Sequence, residues 1–295
     1  MTAKIIDGKQ VAAQMREELK AQVAELKKKG VTPGLGVILV GENPASQSYV
    51  TAKEKACEEI GIYSDDNRLP ASTSQAELMA LVKRMNHDPK ISGILVQLPL
   101  PAPLNEAEVL LAIDPSKDVD GFHPTNVGKM VVGERAFLPC TPHGVVQLLL
   151  RNGVRLDGAD IVIVGRSNIV GKPLANMLIQ KSKTGNATVT VCHTRTKNLA
   201  EHTKRADVVI AAAGKPNTIT ADMVKTGAAV IDVGVNRIAD PTRKSGFRLV
   251  GDVDFEAVKE KASLITTVPG GVGPMTITML LYNTVESARA AAGLA

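Results

Sequence analysis

Between Ile161 and Pro173 the chain reads IVIVGRSNIVGKP, and few folds accommodate such a stretch. A short apolar run rich in β-branched residues suits a parallel strand covered on both faces. Gly165 lets the backbone turn sharply, and Gly171 allows a close approach of helix to strand or ligand. A turn of this kind presents backbone N–H groups and a helix N-terminus to a phosphate. The spacing departs from G-x-G-x-x-G, because Arg166 and Ser167 follow the first glycine. By itself the turn fits a plain βα loop as well as a nucleotide site.

The residues that follow weigh between these readings. Thr188–Cys192, Val208–Ala212, Val230–Val233 and Ser263–Val268 are further apolar strands, separated by helical or loop stretches. This alternation predicts an α/β fold with a doubly wound sheet of the Rossmann type. In such sheets the second strand ends near the adenine ribose, where an acidic residue selects NAD. Here it ends Cys192-His193-Thr194-Arg195-Thr196, without a carboxylate. Thr194, Arg195 and, across the first turn, Arg166 can receive a ribose phosphate. Ordinary surface roles for His193 and Arg195 are the competing reading. With the βα turn in place, the residues favour NADP over NAD.

The preceding half carries the chemistry-bearing side chains. Val11, Met15, Leu19, Val23 and Leu26 recur at helical spacing over Gly8–Lys29, and Leu35–Val40 reads as a buried strand. After a loop over Gly41–Pro44, Ser46–Ile60 predicts a helix. Ala52, Ala56, Tyr49, Ile60, Cys57 and Val50 share one face, and Lys53 falls in its middle. A lysine there either snorkels to solvent or is held with a lowered pKa that suits proton transfer. A short strand is expected around Ile62-Tyr63. Ser74-x-x-Glu77 is a capping box that opens a helix with Leu78, Leu81, Val82 and Met85 inside. Ile91–Gln97 is another buried strand, and Gln97 stands at its carboxyl end, where ligands bind in open α/β sheets. A capping role for its amide is the alternative. Asn105-x-x-Glu108 opens a short helix. In the loop SKDVDGFHP, Asp118 and Asp120 are either turn-making carboxylates or a grip for a ligand's amino group. Residues 125–140 read as loop, and Thr141-Pro142 as an N-cap with proline at the first helical position.

Bulk properties exclude more than they assert. The 295 residues are 44% hydrophobic but only 2% aromatic, so aliphatic packing supplies the core. The net charge of +5 is scattered, apart from Lys27-Lys28-Lys29 and Arg243-Lys244. With no Trp, three Tyr and four Phe, a base-stacking surface for nucleic acid is not expected. Cys57, Cys140 and Cys192 form no CxxC or zinc spacing, and the five histidines form no HExxH cluster. No metal is expected, and a reducing compartment is the simplest inference. MTAKIIDG lacks an apolar signal region, and no apolar run is of membrane-spanning length. The expectation is a soluble cytoplasmic protein.

Six motifs, VGENPASQSYVTAKEKACEEIGI, GILVQLPLP, KDVDGFHPTNVG, PCTPHG, IVGRSNIVGKP and VPGGVGPMT, extend over essentially the whole chain. Together they closely resemble the bifunctional methylenetetrahydrofolate dehydrogenase/methenyltetrahydrofolate cyclohydrolase family, the FolD family of bacteria. The resemblance implies a two-domain homodimer of one-carbon metabolism, with tetrahydrofolate derivatives as substrates and NADP as cofactor. It implies a folate-binding domain over residues 1–140, an NADP domain over 141–274, and a helix over 275–295 packing back on the former. It further implies that Lys53 transfers protons in the cyclohydrolase step, Tyr49 lines the folate site, Gln97 tunes Lys53 and Asp120 grips the pterin. Ser46, Pro269, Gly270 and Gly273 are then substrate-binding. Gly165, Arg166, Ser167, Gly171, Thr194 and Val235 are cofactor-binding. The function from another class is a catalytically dead NADP-binding redox sensor, which would not need Tyr49, Lys53, Gln97 and Asp120 together.

Overall fold

The computed structural model describes residues 2–243 and 246–294; Lys244, of the short basic run, lies outside the described residues. In chain order, β1 (Lys4–Ile6), α1 (Gly8–Lys28), β2 (Gly34–Val40), α2 (Pro44–Ile60) and β3 (Tyr63–Leu69) come first. They are followed by α3 (Gln75–His87), β4 (Gly93–Val96), α4 (Glu106–Ala112), α5 (Pro124–Val132) and α6 (Cys140–Arg151). Then come β5 (Asp160–Val164), α7 (Gly171–Ile179), β6 (Thr188–Cys192), α8 (Leu199–Thr203), β7 (Val208–Ala211) and β8 (Ala229–Asp232). The chain closes with β9 (Asn236–Ala239), β10 (Phe247–Val250), α9 (Phe255–Val258), β11 (Leu264–Thr266) and α10 (Val272–Ala291).

Two compact units emerge, each built from two separate pieces of sequence. One joins Ala13–Cys140 to the chain from Ile277 onward; the other joins the chain up to Ala12 to Thr141–Thr276. In the first, β3, β2 and β4 form a parallel three-stranded sheet with β2 in the centre. Its sequence GLGVILV is buried throughout, as a central parallel strand requires. Ile38, Val40 and Val96 of this sheet pack with Leu78, Leu81, Val82 and Met85 of α3 and Val109 of α4. The capping box forms: Ser74 Oγ accepts from Glu77 N–H while the Glu77 carboxylate accepts from Ser74 N–H.

The second unit is a six-stranded sheet ordered β6-β5-β7-β8-β11-β1, parallel at every pairing. Val162, Val164, Val209, Ala211, Val230 and Ile265 form its core on one side. The strand order reverses between β5 and β7, the topological switch point at which α/β sheets bind ligands. An antiparallel hairpin, β9 with β10, stands apart from this sheet.

Several local expectations change. Residues 125–140 are not all loop, since α5 occupies Pro124–Val132. His123 Nδ1 accepts from Thr125 N–H, Pro124 starts the first turn and Gly133 ends the helix in the left-handed region, at φ 80°. These caps, with Asn126 and Met130 buried, outweigh the low helix propensity of Gly128. The strand around Tyr63 runs on to Leu69, with polar YSDDNRL held by its full register against β2. Helix α2 begins at Pro44 rather than Ser46, a first-turn proline, and α6 begins at Cys140 rather than after Thr141. On α2, Ala52 and Tyr49 are exposed, and the buried face is Ser46, Val50, Lys53, Ala56, Cys57 and Ile60.

Candidate active site

Ser46, Tyr49 and Lys53 lie along one side of α2, separated by helical turns. Ser46 and Lys53 are buried at 5% and 7% exposure, while the Tyr49 ring is 46% exposed. Lys53 therefore does not snorkel. Its Nζ donates to Gln97 Oε1 at 2.9 Å. Gln97 is held in turn: its backbone N–H donates to Ile38 O at 2.9 Å, tying it to β2. Its Nε2 donates to Leu98 O at 2.8 Å, which leaves the oxygen end of the amide for the lysine.

Burial lowers the Lys53 pKa, and the negative charge of Asp120 acts against that. Asp120 is the counterpart. Burial pushes its carboxyl up to about 6; Lys53 pulls it down, Asp118 pushes it up, and a hydrogen bond with the Cys140 thiol pulls it down. The two aspartates of the loop have separated into two roles. Asp118 is a turn-maker, accepting from Phe122 N–H at 3.2 Å, His123 N–H at 2.8 Å and Asn126 Nδ2 at 2.8 Å. Asp120 is the one that faces the lysine. Asn283 of α10 secures the loop, donating to Val119 O at 2.8 Å and Leu138 O at 2.9 Å. A poorly solvated amine beside a carboxyl and an amide oxygen can accept a proton, carry it and return it.

In the other unit, the turn after β5 could hold a phosphate-bearing ligand. Gly165 follows β5 with φ at 137°, a backbone conformation side chains rarely adopt, and a Cβ there would lie 2.0 Å from Ala212 O. A Cβ on Gly171 would lie 2.1 Å from Gly165 O. Both glycines let α7 pack against the end of β5. Ser167 Oγ accepts from Val170 N–H at 3.1 Å and shapes the turn, while Arg166 and Ser167 stand exposed. At the end of β6, Thr194 and Arg195 are exposed and no carboxylate follows the strand. Val235 is exposed after β8. This donor set fits a dinucleotide with a phosphorylated ribose. Pro269 and Gly270 lie in the loop after β11, and Gly273 is the second residue of α10. Among the described residues no cluster of His, Cys, Asp and Glu could hold a metal ion, and no helix is long and apolar enough to cross a membrane.

The model of the tetrahydrofolate dehydrogenase/cyclohydrolase catalytic domain matches residues 6–120, and that of the same family's NAD(P)-binding domain matches residues 139–292. The chain belongs to the tetrahydrofolate dehydrogenase/cyclohydrolase family. The bifunctional protein FolD of Syntrophus aciditrophicus is 60% identical over 294 residues, covering 100% of both chains. Among solved structures, FolD methylenetetrahydrofolate dehydrogenase/cyclohydrolase from Campylobacter jejuni is 53% identical, with a TM-score of 0.91 over 98% of this chain and 99% of that one. The FolD enzyme of Trypanosoma brucei, complexed with NADP and an inhibitor, is 40% identical, with a TM-score of 0.92 over 99% of each chain.

Within this family fold, the structure brings Lys53, Gln97 and Asp120 together and sets Ser46 and Tyr49 on the lysine's own helix. Sequence reasoning passed over Cys140 as a contact of Asp120 and over Asn283 as its support. The PCTPHG motif was the available signal for the cysteine; nothing local marks the asparagine. It also passed over Asp232 and Asp252, buried in the dinucleotide-binding unit among backbone N–H groups. Their positions beside glycines, in DVG and GDV, were the only hint.

Proposed function

We propose that this chain oxidises 5,10-methylenetetrahydrofolate to the methenyl form with NADP, then hydrolyses that product to 10-formyltetrahydrofolate. The observation that carries the reading is Lys53, a buried amine 2.9 Å from Gln97 Oε1 and paired electrostatically with Asp120. A module that only sensed NADP would have no use for this arrangement. When bound, NADP supplies the acceptor for a hydride leaving the bridging methylene carbon. Gly165, Arg166, Ser167, Gly171, Thr194 and Val235 bind and orient it. Arg166 and Thr194 are assigned to the ribose phosphate, for which an arginine and a hydroxyl are the fitting donors. Hydride transfer asks the protein chiefly for positioning.

Hydrolysis asks for a proton acceptor and then a donor. Water attacks the methenyl carbon, and Lys53, its charged form disfavoured by burial, takes the proton. Lys53 then returns it to the nitrogen that departs as one carbon–nitrogen bond breaks; the hydroxyl proton of the adduct leaves to solvent. Gln97 keeps the amine oriented through both steps. Asp120 accepts from the pterin's amino and ring N–H groups, and Tyr49 offers its exposed ring to the folate. Ser46, Pro269, Gly270 and Gly273 are assigned to folate by family resemblance. We infer a cytoplasmic homodimer on the same ground. The test is an absorbance assay of methylenetetrahydrofolate with NADP, followed by methenyltetrahydrofolate alone. Turnover in both supports the reading, and NADP binding without turnover refutes it.

A further inference from the structure

Asp252, in the segment after β10, is fully buried, and its carboxylate bonds to other segments of the chain. Its Oδ2 accepts from Ala213 N–H at 2.6 Å and Gly214 N–H at 2.9 Å, immediately beyond β7. Its Oδ1 accepts from Asn236 Nδ2 at 2.9 Å, just past the loop that leaves β8. A Cβ added to Gly234 in that loop would lie 2.1 Å from Oδ1, so the carboxylate sits directly against the loop's backbone. Asp232, at the end of β8, reciprocates. It accepts from Gly234 N–H at 3.1 Å, Asp252 N–H at 2.9 Å and Val253 N–H at 3.0 Å. A Cβ on Gly251 would lie 1.8 Å from its Oδ2.

The loops joined in this way leave the carboxyl ends of two adjacent parallel strands, where α/β sheets hold their ligands. The β7 loop also backs the first turn, since Ala212 O lies where a Cβ on Gly165 would be, at 2.0 Å. The adenosine half of a dinucleotide goes to the β6 side of the switch point, so the loops after β7 and β8 border the other half. A buried carboxylate is costly unless its oxygens are bonded, and here Oδ2 of Asp252 ties down the loop after β7 while Oδ1 holds Asn236, where the loop after β8 ends.

We propose that Asp252 is a positioning residue for NADP, holding the loops after β7 and β8 in one arrangement that receives the nicotinamide half. It never meets the ligand; it acts through Ala213, Gly214 and Asn236. The inference rests on the NADP-dependent dehydrogenase reading.

The hydrolytic step supplies an internal control, because Lys53 belongs to the other unit and hydrolysis of methenyltetrahydrofolate uses no NADP. In Asp252→Asn one amide oxygen still serves the Ala213 and Gly214 N–H groups, but the new NH2 faces the Asn236 NH2. The expected result is a rise in the NADP Michaelis constant of about ten- to a hundredfold, with methenyltetrahydrofolate hydrolysis unchanged. Asn236→Ala, which breaks the same link from its more exposed end, raises the NADP constant as well. Combining Asp252→Asn with Asn236→Asp restores a donor–acceptor pair at an unchanged charge and brings the constant back towards the parent's. Unchanged NADP constants in both single variants overturn the proposal. So does an equal fall of both activities in both single variants without recovery in the double, which would make Asp252 a folding element only. A parent that does not oxidise methylenetetrahydrofolate with NADP refutes the functional reading itself, and the positioning role falls with it.

Discussion

Replacing Lys53 with methionine keeps the length and the apolar stem of the side chain while deleting the amine. Two effects follow, and they are separable. A positioned acid–base group is worth about 10²–10⁴-fold in rate, or about 3–5 kcal/mol of barrier, so hydrolysis of methenyltetrahydrofolate should fall by that factor. Hydride transfer, which needs positioning, should fall less than about tenfold. The second effect lies at Asp120. Its carboxyl titrates at about 6, with the lysine charge holding it down against burial. As pH drops through that value the carboxylate is protonated and ceases to accept from the pterin's donors, so folate affinity in the parent should weaken towards acid. Without Lys53 the charged form loses its partner, and the midpoint must move up. An adjacent opposite charge is worth about 1–3 pH units to a carboxyl, so the variant should bind folate poorly near neutrality and recover in alkali. Calorimetric titration with the folate substrate across pH, alongside the two activity assays, measures both effects. Equal losses in the two activities, or a binding midpoint that stays or moves down, would refute the assignment of Lys53 and its pairing with Asp120.

Asp120→Ala should weaken folate binding by about 1–3 kcal/mol, the cost of leaving the ligand's donors unpaired, and should abolish the acid limb of binding; a titration matching the parent's contradicts it. Arg166→Ala should raise the NADP Michaelis constant about ten- to a hundredfold through loss of a charge-assisted bond. The NADP-to-NAD specificity ratio should narrow while the folate constant holds; a ratio that does not move leaves Arg166 as surface charge. Gly165→Ala puts a methyl group 2.0 Å from Ala212 O, so oxidation should fail while hydrolysis of methenyltetrahydrofolate persists. Retention of NADP affinity by direct titration would show that the turn yields more easily than its geometry implies.

Where burial alone decides conformation, the sequence could be read directly. The runs GLGVILV, IVIV and VVIA are strands because aliphatic residues covered on both faces permit little else. Lys53 was conspicuous for the same reason, as a charge in the middle of an apolar face. What was hidden depends on partners far along the chain. The strand YSDDNRL has no apolar signature and exists because β2 offers it a full register. Strand β1 is only three residues long and is fixed by pairing with β11, some 260 positions later. The choice between Asp118 and Asp120 turns on near neighbours whose side-chain and backbone directions a residue pattern does not display. Both sit in one turn, and only Asn126 and the N–H groups of Phe122 and His123 draw Asp118 inward. The Asp232–Asp252 exchange is likewise invisible, since its bonds join segments some 20 to 39 residues apart.

The splitting of each unit between distant stretches bears on how the chain is made. Asn283 and Ser287 bond to Val119, Leu138, Ser92 and Ser116, all made long before them. Strand β1 waits at the edge of its sheet for β11, made some 260 residues later. Domains commonly fold in turn as they leave the ribosome, but neither unit here can close before β11 and α10 are made. A ribosome stalled after α9 would therefore display two incomplete units rather than one finished and one pending.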